Sequence, residues 1–161
     1  MRLVIVNQTK IKINELLLKS IFKKLLFASR QAHLRNKDLL NRKEVSLVFL
    51  SVTEMKKINK KFRGKNKATD VLSFASVTPD SLGELVFCLG VLKNQAAEQN
   101  HTIGHEFLYM LIHGVLHLLK YDHEISKTEH LKMFKRQDKL FVELTEQKIN
   151  LDCFHVVGHR S

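Results

Sequence analysis

A chain of 161 residues fits one domain with no second, and a hydrophobic content of 44% is enough for a packed core. Lys and Arg (27) outnumber Asp and Glu (16), and the resulting net charge of +11 favours a polyanionic partner, either RNA or an anionic membrane surface. The longest apolar run, FLYMLIHGVLHLL at 107–119, is too short to cross a bilayer, and MRLVIVNQTK is too brief for a secretory signal, so no membrane association and a cytoplasmic location are expected.

LVIV at 3–6 reads as a buried strand, followed by a polar turn at 7–10. Ile13, Leu17, Ile21, Leu25 and Ala28 then recur at helical spacing, with Lys12, Lys19, Lys23 and Lys24 mostly off that stripe. Residues 31–44 lack a period and read as a basic connection in which His33 is a surface histidine. VSLVFLSV at 45–52 is a central strand. Thr53 offers a cap for a helix from about Glu54 that turns Met55, Ile58 and Phe62 inward and ends at Arg63 before Gly64.

The turn GKNK at 64–67 carries the densest positive cluster of the chain: Lys60, Lys61, Arg63, Lys65 and Lys67. TDVLSFAS at 69–76 and LGELVFCLG at 82–90 read as a hairpin turning at Pro79, so antiparallel strands join ones that are parallel elsewhere in a mixed sheet. Asp70 and Glu84 are candidate supports for a ligand histidine, against the commoner fate of a cap or a surface ion pair. Cys88 in a core strand and Cys153 near the end are expected to stay unpaired. A short helix with Val91, Leu92, Ala96 and Ala97 leads to another starting near Thr102.

That helix carries HGVLHLLKYDH at 113–123. His113 and His117 lie ~40° apart on one face with their rings one turn apart, and His123 returns to them if the helix ends between Leu119 and Asp122. Three neutral nitrogens leave a fourth position of a zinc ion open, which distinguishes a catalytic site from a structural one. His105, ~12 Å from His113 along the axis, is too distant to share its ion, and Glu106 is at most a remote support. Zinc proteases of the HExxHxxGxxH type share the spacing, but their general base, the Glu after the first His, is Gly114 here.

SKTE at 126–129 matches a capping box opening a helix to about Gln147, with Leu131, Phe134, Phe141 and Leu144 as its apolar stripe. The segment 149–161 reads as a frayed, flexible tail whose Cys153, His155 and His159 match no common metal spacing.

HGVLHLLKYDH, with KFRGKNKATDVLSF at 61–74 and LGELVF at 82–87, resembles the YbeY family of metal-dependent endoribonucleases, in the family's order and over most of the chain. The resemblance implies His113, His117 and His123 as ligands of one Zn2+, with Arg63 and His113 as catalytic residues. It also implies action on single-stranded RNA in ribosomal RNA maturation and quality control, with the ribosome or ribosomal proteins as partners. The sequence departs from the family at Lys120, where the family has glycine, and at Asn66 and Ala68, where it usually has Asp and Pro. Lys120 either adopts φ > 0 at a cost of about 1 kcal/mol or the turn has another shape.

The expected architecture is α+β: a four-stranded mixed sheet covered by helices, with a zincin-like three-His site at one side of a cleft. Two rivals share these features. One is a zinc peptidase or other metal hydrolase, and the other is a non-catalytic ribosome-binding protein with a structural metal.

Overall fold

The computed structural model describes residues 1–32 and 34–155, so His33 and His159 lie outside the described residues. Strand β1 (Arg2–Asn7) is followed by a two-residue strand β2 (Lys12–Ile13) and helix α1 (Glu15–Gln31). Ile13 therefore belongs to a strand. Asn14 caps the helix by accepting from the Leu17 N–H (3.1 Å), and the stripe is completed by the buried Leu18, Phe22 and Leu26. The basic connection contains a 3-10 turn (Lys37–Asn41) pinned by the buried Leu40.

Strand β3 (Glu44–Leu50) leads into α2 (Val52–Arg63). The cap is Ser51 rather than Thr53. Its hydroxyl accepts from the Glu54 N–H and the Glu54 carboxylate accepts from the Ser51 N–H, so one S-x-x-E pattern satisfies two orphan donors. Met55 is buried and Ile58 half-buried, but Phe62 is 59% exposed. The buried residue in that part of the helix is Asn59.

The hairpin forms as expected from β4 (Val71–Ala75) and β5 (Ser81–Cys88), paired antiparallel with Val71 opposite Phe87. β1 and β3 pair parallel, as do β3 and β5, giving a four-stranded mixed sheet of order β1-β3-β5-β4. β5 is central and buried on both faces. Leu85 and Phe87 enter the main core, while Val86 and Cys88 enter a smaller one with Leu50, Met55 and Leu72. Both cysteines are free and buried.

Three helices follow: α3 (Leu89–Glu98), α4 (Ile103–Leu118) and α5 (Lys127–Glu146). The capping box of α5 is half formed. Ser126 accepts from the Glu129 N–H (3.2 Å), but the Glu129 carboxylate is taken by Arg35 and Lys132. The buried stripe of α5 is also rotated from the expected one: Leu131 is 69% exposed, and the inward residues are Met133, Gln137, Leu140 and Leu144.

The reading of 149–161 as a frayed tail is corrected over its described part. Strand β6 (Phe154–His155) pairs antiparallel with β2, and Cys153 is fully buried. Phe154 packs edge-on against Phe49 and Phe107. Leu151 lies so close to α4 that a Cβ on Gly104 would meet its carbonyl oxygen at 2.1 Å. The segment thus closes the main core, with His155 exposed and not part of the metal-capable group found among the described residues.

Candidate metal centre and its cleft

Helix α4 is hydrophobic nearly all round, as befits a helix lying against the sheet on one side and α5 on another. Gly114 permits the close approach: a Cβ there would meet Leu85 Cδ2 at 2.8 Å. The position that bears the general base in the protease pattern is thus occupied by helix-to-sheet packing.

The helix ends at Leu119 in a Schellman turn. The Tyr121 N–H donates to the Leu116 carbonyl (3.0 Å) and the Lys120 N–H to the His117 carbonyl (2.9 Å). Lys120 has φ 66°, so the turn keeps the shape that glycine favours and a lysine bears the strain. The Asn36 amide donates to the Leu119 carbonyl (3.0 Å), and the Tyr121 hydroxyl accepts from the Arg35 N–H (3.0 Å). This reversal carries His123 back over the helix.

The three imidazoles consequently meet. Their ring centroids form a nearly even triangle of 4.7 Å (His113–His117), 5.2 Å (His113–His123) and 5.2 Å (His117–His123). One nitrogen from each lies within 4.8 Å of the others, a group able to hold a metal ion. His113 Nε2 and His117 Nε2 are 3.1 Å apart, near the ~3.4 Å that tetrahedral zinc with N–Zn of ~2.1 Å requires. Neither His101 nor His105 belongs to the group; the His105 backbone N–H donates to the Thr102 hydroxyl (3.3 Å), which also lies 2.7 Å from the His105 Nδ1.

Gln137, from α5, determines which nitrogen of His113 is free. Its Nε2 donates to the Tyr109 carbonyl (3.1 Å), which can only accept, so its Oε1 must face His113 Nδ1 at 3.0 Å. The proton therefore sits on Nδ1, and the Nε2 lone pair points into the trio. This is the support a metal-binding histidine uses to set its tautomer. Burial, followed by the neighbouring His113 and His123, pushes the His117 pKa down to about 4, and burial lowers that of His113, so both rings are neutral at pH 7. Neutral imidazoles are what a metal ion needs as ligands.

The trio lies in a cleft of about 700 Å³ whose opposite wall comes from the end of α2 and from β4. Arg63 lines it, its guanidinium donating to Glu124 Oε1 at 2.7 Å, one residue beyond His123. The loop after Arg63 is held by Asn59, whose Nδ2 donates to the Lys67 carbonyl (2.7 Å), and Gly64 takes φ 68° as the helix C-cap. Asp70 also lines the cleft. Its carboxylate accepts from the Val71 N–H (2.7 Å) and from Gln95 Nε2 (3.0 Å), so it braces the entry to β4 rather than a ligand histidine. Glu84 is exposed and outside the cleft, and Glu106 is 3.2 Å from His101.

A family model described as Endoribonuclease YbeY matches residues 4–145. The chain belongs to the YbeY family. Similar curated members include Endoribonuclease YbeY of Bdellovibrio bacteriovorus, 57% identical over 106 residues (66% of this chain, 71% of that one). That of Staphylococcus saprophyticus is 35% identical over 130 residues (74% and 81%). The solution structure of a Thermotoga maritima protein superposes with a TM-score of 0.63 at 30% identity, covering 91% of each chain.

The resemblance to the YbeY family is thus borne out, as are the α+β fold and a three-His group able to take a metal. Sequence reasoning missed Gln137, Asn59 and the Arg63–Glu124 pair. A lone amide on the buried stripe of α5 was the available signal for Gln137. Nothing local signals the ion pair, whose partners are 61 residues apart.

Proposed function

We propose that this chain is a single-domain, zinc-dependent endoribonuclease that cuts single-stranded RNA in the cytoplasm. Its role would be in ribosomal RNA maturation and ribosome quality control, with ribosomal RNA and the ribosome or its proteins as partners. The observation that carries this reading is the meeting of three imidazoles and a guanidinium in one cleft of a YbeY-family chain.

His113, His117 and His123 would hold the zinc, which supplies Lewis acidity to phosphodiester hydrolysis when bound. Gln137 keeps the His113 proton on Nδ1 and so presents an Nε2 lone pair; His113 takes part in catalysis through that nitrogen. Arg63 presents a planar fork of donors that can grip two phosphate oxygens and offset the charge that develops as phosphorus becomes five-coordinate. Its present partner, Glu124, is 58% exposed, so phosphate oxygens can take the carboxylate's place at little cost. The lysines of the 60–67 segment are exposed and add attraction for the RNA backbone.

A peptidase needs a base beside the metal, and the packing of Gly114 against Leu85 weighs against one at the usual position. Zinc-loaded protein incubated with single-stranded RNA and with an unstructured peptide tests the assignment. RNA cleavage abolished by His117→Ala is the expected result. Peptide cleavage without RNA cleavage overturns it, and RNA binding with no cleavage of either favours the structural-metal rival.

A further inference from the structure

Phe62 departs from the apolar logic of α2. Its spacing from Met55 and Ile58 directs it inward, yet it is 59% exposed, at the helix end beside the edge strand β4. There it meets Phe74 edge-on, with ring centroids 5.1 Å apart and planes at 66°. Of the exposed large apolar side chains among the described residues, Phe62 alone also lines the cleft, and Phe74 lines it too.

An edge-on contact occupies at most one face of a ring, so this pair keeps aromatic surface turned to the cleft. The surroundings are cationic: Arg63 is the next residue, Lys60, Lys65 and Lys67 are exposed nearby in sequence, and the exposed Lys61 ammonium lies over the Phe62 ring, 5.3 Å from its centre, where a stacking base would displace it. Aromatic faces interleaved with backbone-attracting cations are how proteins hold unpaired nucleotides, because every base has a π face and a stacked base brings its phosphate with it. A membrane or an apolar peptide would not call for a guanidinium beside the ring on the side of a metal-capable trio.

We propose that Phe62 and Phe74 form a stacking platform for one unpaired nucleobase of the RNA, adjoining the phosphate held by Arg63. The inference rests on the nuclease reading and deepens it, since it supplies the source of single-strand selectivity. A base inside a duplex has both faces covered by its neighbours and offers none to the platform.

The test uses full-length, zinc-loaded protein and single-stranded RNA oligonucleotides in which one abasic nucleotide is moved along the chain. Affinity is read by fluorescence anisotropy, and KM and kcat by cleavage. Phe62→Leu is expected to weaken binding and raise KM roughly tenfold, with a smaller change in kcat, while Phe62→Tyr restores both. Phe74→Leu acts in the same direction but less. Zinc content and melting temperature serve to show that the variants are folded. One abasic position should cost the wild type roughly tenfold in affinity and cost Phe62→Leu almost nothing further.

An unchanged KM in Phe62→Leu, or an abasic penalty equal in both proteins, overturns the platform. The two readings fail separately. Wild type that cuts RNA without dependence on Phe62 keeps the nuclease and removes the platform; wild type that binds RNA through Phe62 but leaves it intact does the reverse.

Discussion

On the wall of the cleft made by α4 and α5, each feature is set before any substrate arrives: the helix register spaces His113 and His117, the Schellman turn returns His123, and Gln137 sets a tautomer. On the opposite wall, Arg63 ends a helix, is 38% exposed at its side chain and rests on a carboxylate that is itself exposed. The first wall is preorganised by packing, whereas the second is organised by one exposed ion pair, which the proposed function would have an RNA phosphate replace. Groups that bind a small cation need sub-ångström placement and gain from burial. A group that meets a mobile polyanion gains from remaining accessible.

The comparison breaks most visibly at Arg63. Arg63→Ala is expected to lower kcat on single-stranded RNA by about 10²–10³-fold with zinc content unchanged, and Arg63→Lys to recover only part, because a point charge lacks the two-pronged grip. Steady-state cleavage with parallel metal analysis checks both. Loss of zinc in these variants would mean that the two walls are not independent.

On the preorganised wall, Gln137→Leu removes the acceptor for His113 Nδ1–H and should weaken zinc binding by roughly 10–100-fold in a chelator competition. Gln137→Glu keeps the acceptor and should lose less. The smallest effect is expected at the turn. Lys120→Gly relieves the positive φ and should raise stability by about 1 kcal/mol, seen as a higher urea midpoint with the slope unchanged and zinc binding intact.

How far these features could be read in advance follows the same division. The trio was legible because helical spacing is a local rule, but the shape of its turn was open, since a lysine stands where the family has glycine, and only the Lys120 φ of 66° settles it. The hairpin and the mixed sheet followed from alternation broken by one proline turn.

Less was legible where a contact decides the outcome. On α5, Leu131 and Met133 are both apolar, and only docking onto α4 selects the face that includes Gln137. Phe62 fits an apolar stripe, but its helix outruns the core there. Ser51 and Thr53 are both good caps, and the reciprocal bond with Glu54 chooses Ser51. Strands of two residues carry no period, so the pairing of β2 with β6 left no trace in the sequence, and the buried Cys153 and Phe154 passed for part of a loose end.

The most direct measurement is metal analysis of protein purified without added metal, alongside His117→Ala. About one equivalent of zinc in the wild type, absent from a folded His117→Ala, is the expected result. A wild type without stoichiometric metal, or a His117→Ala that retains it, would contradict convergence of the three imidazoles on one ion.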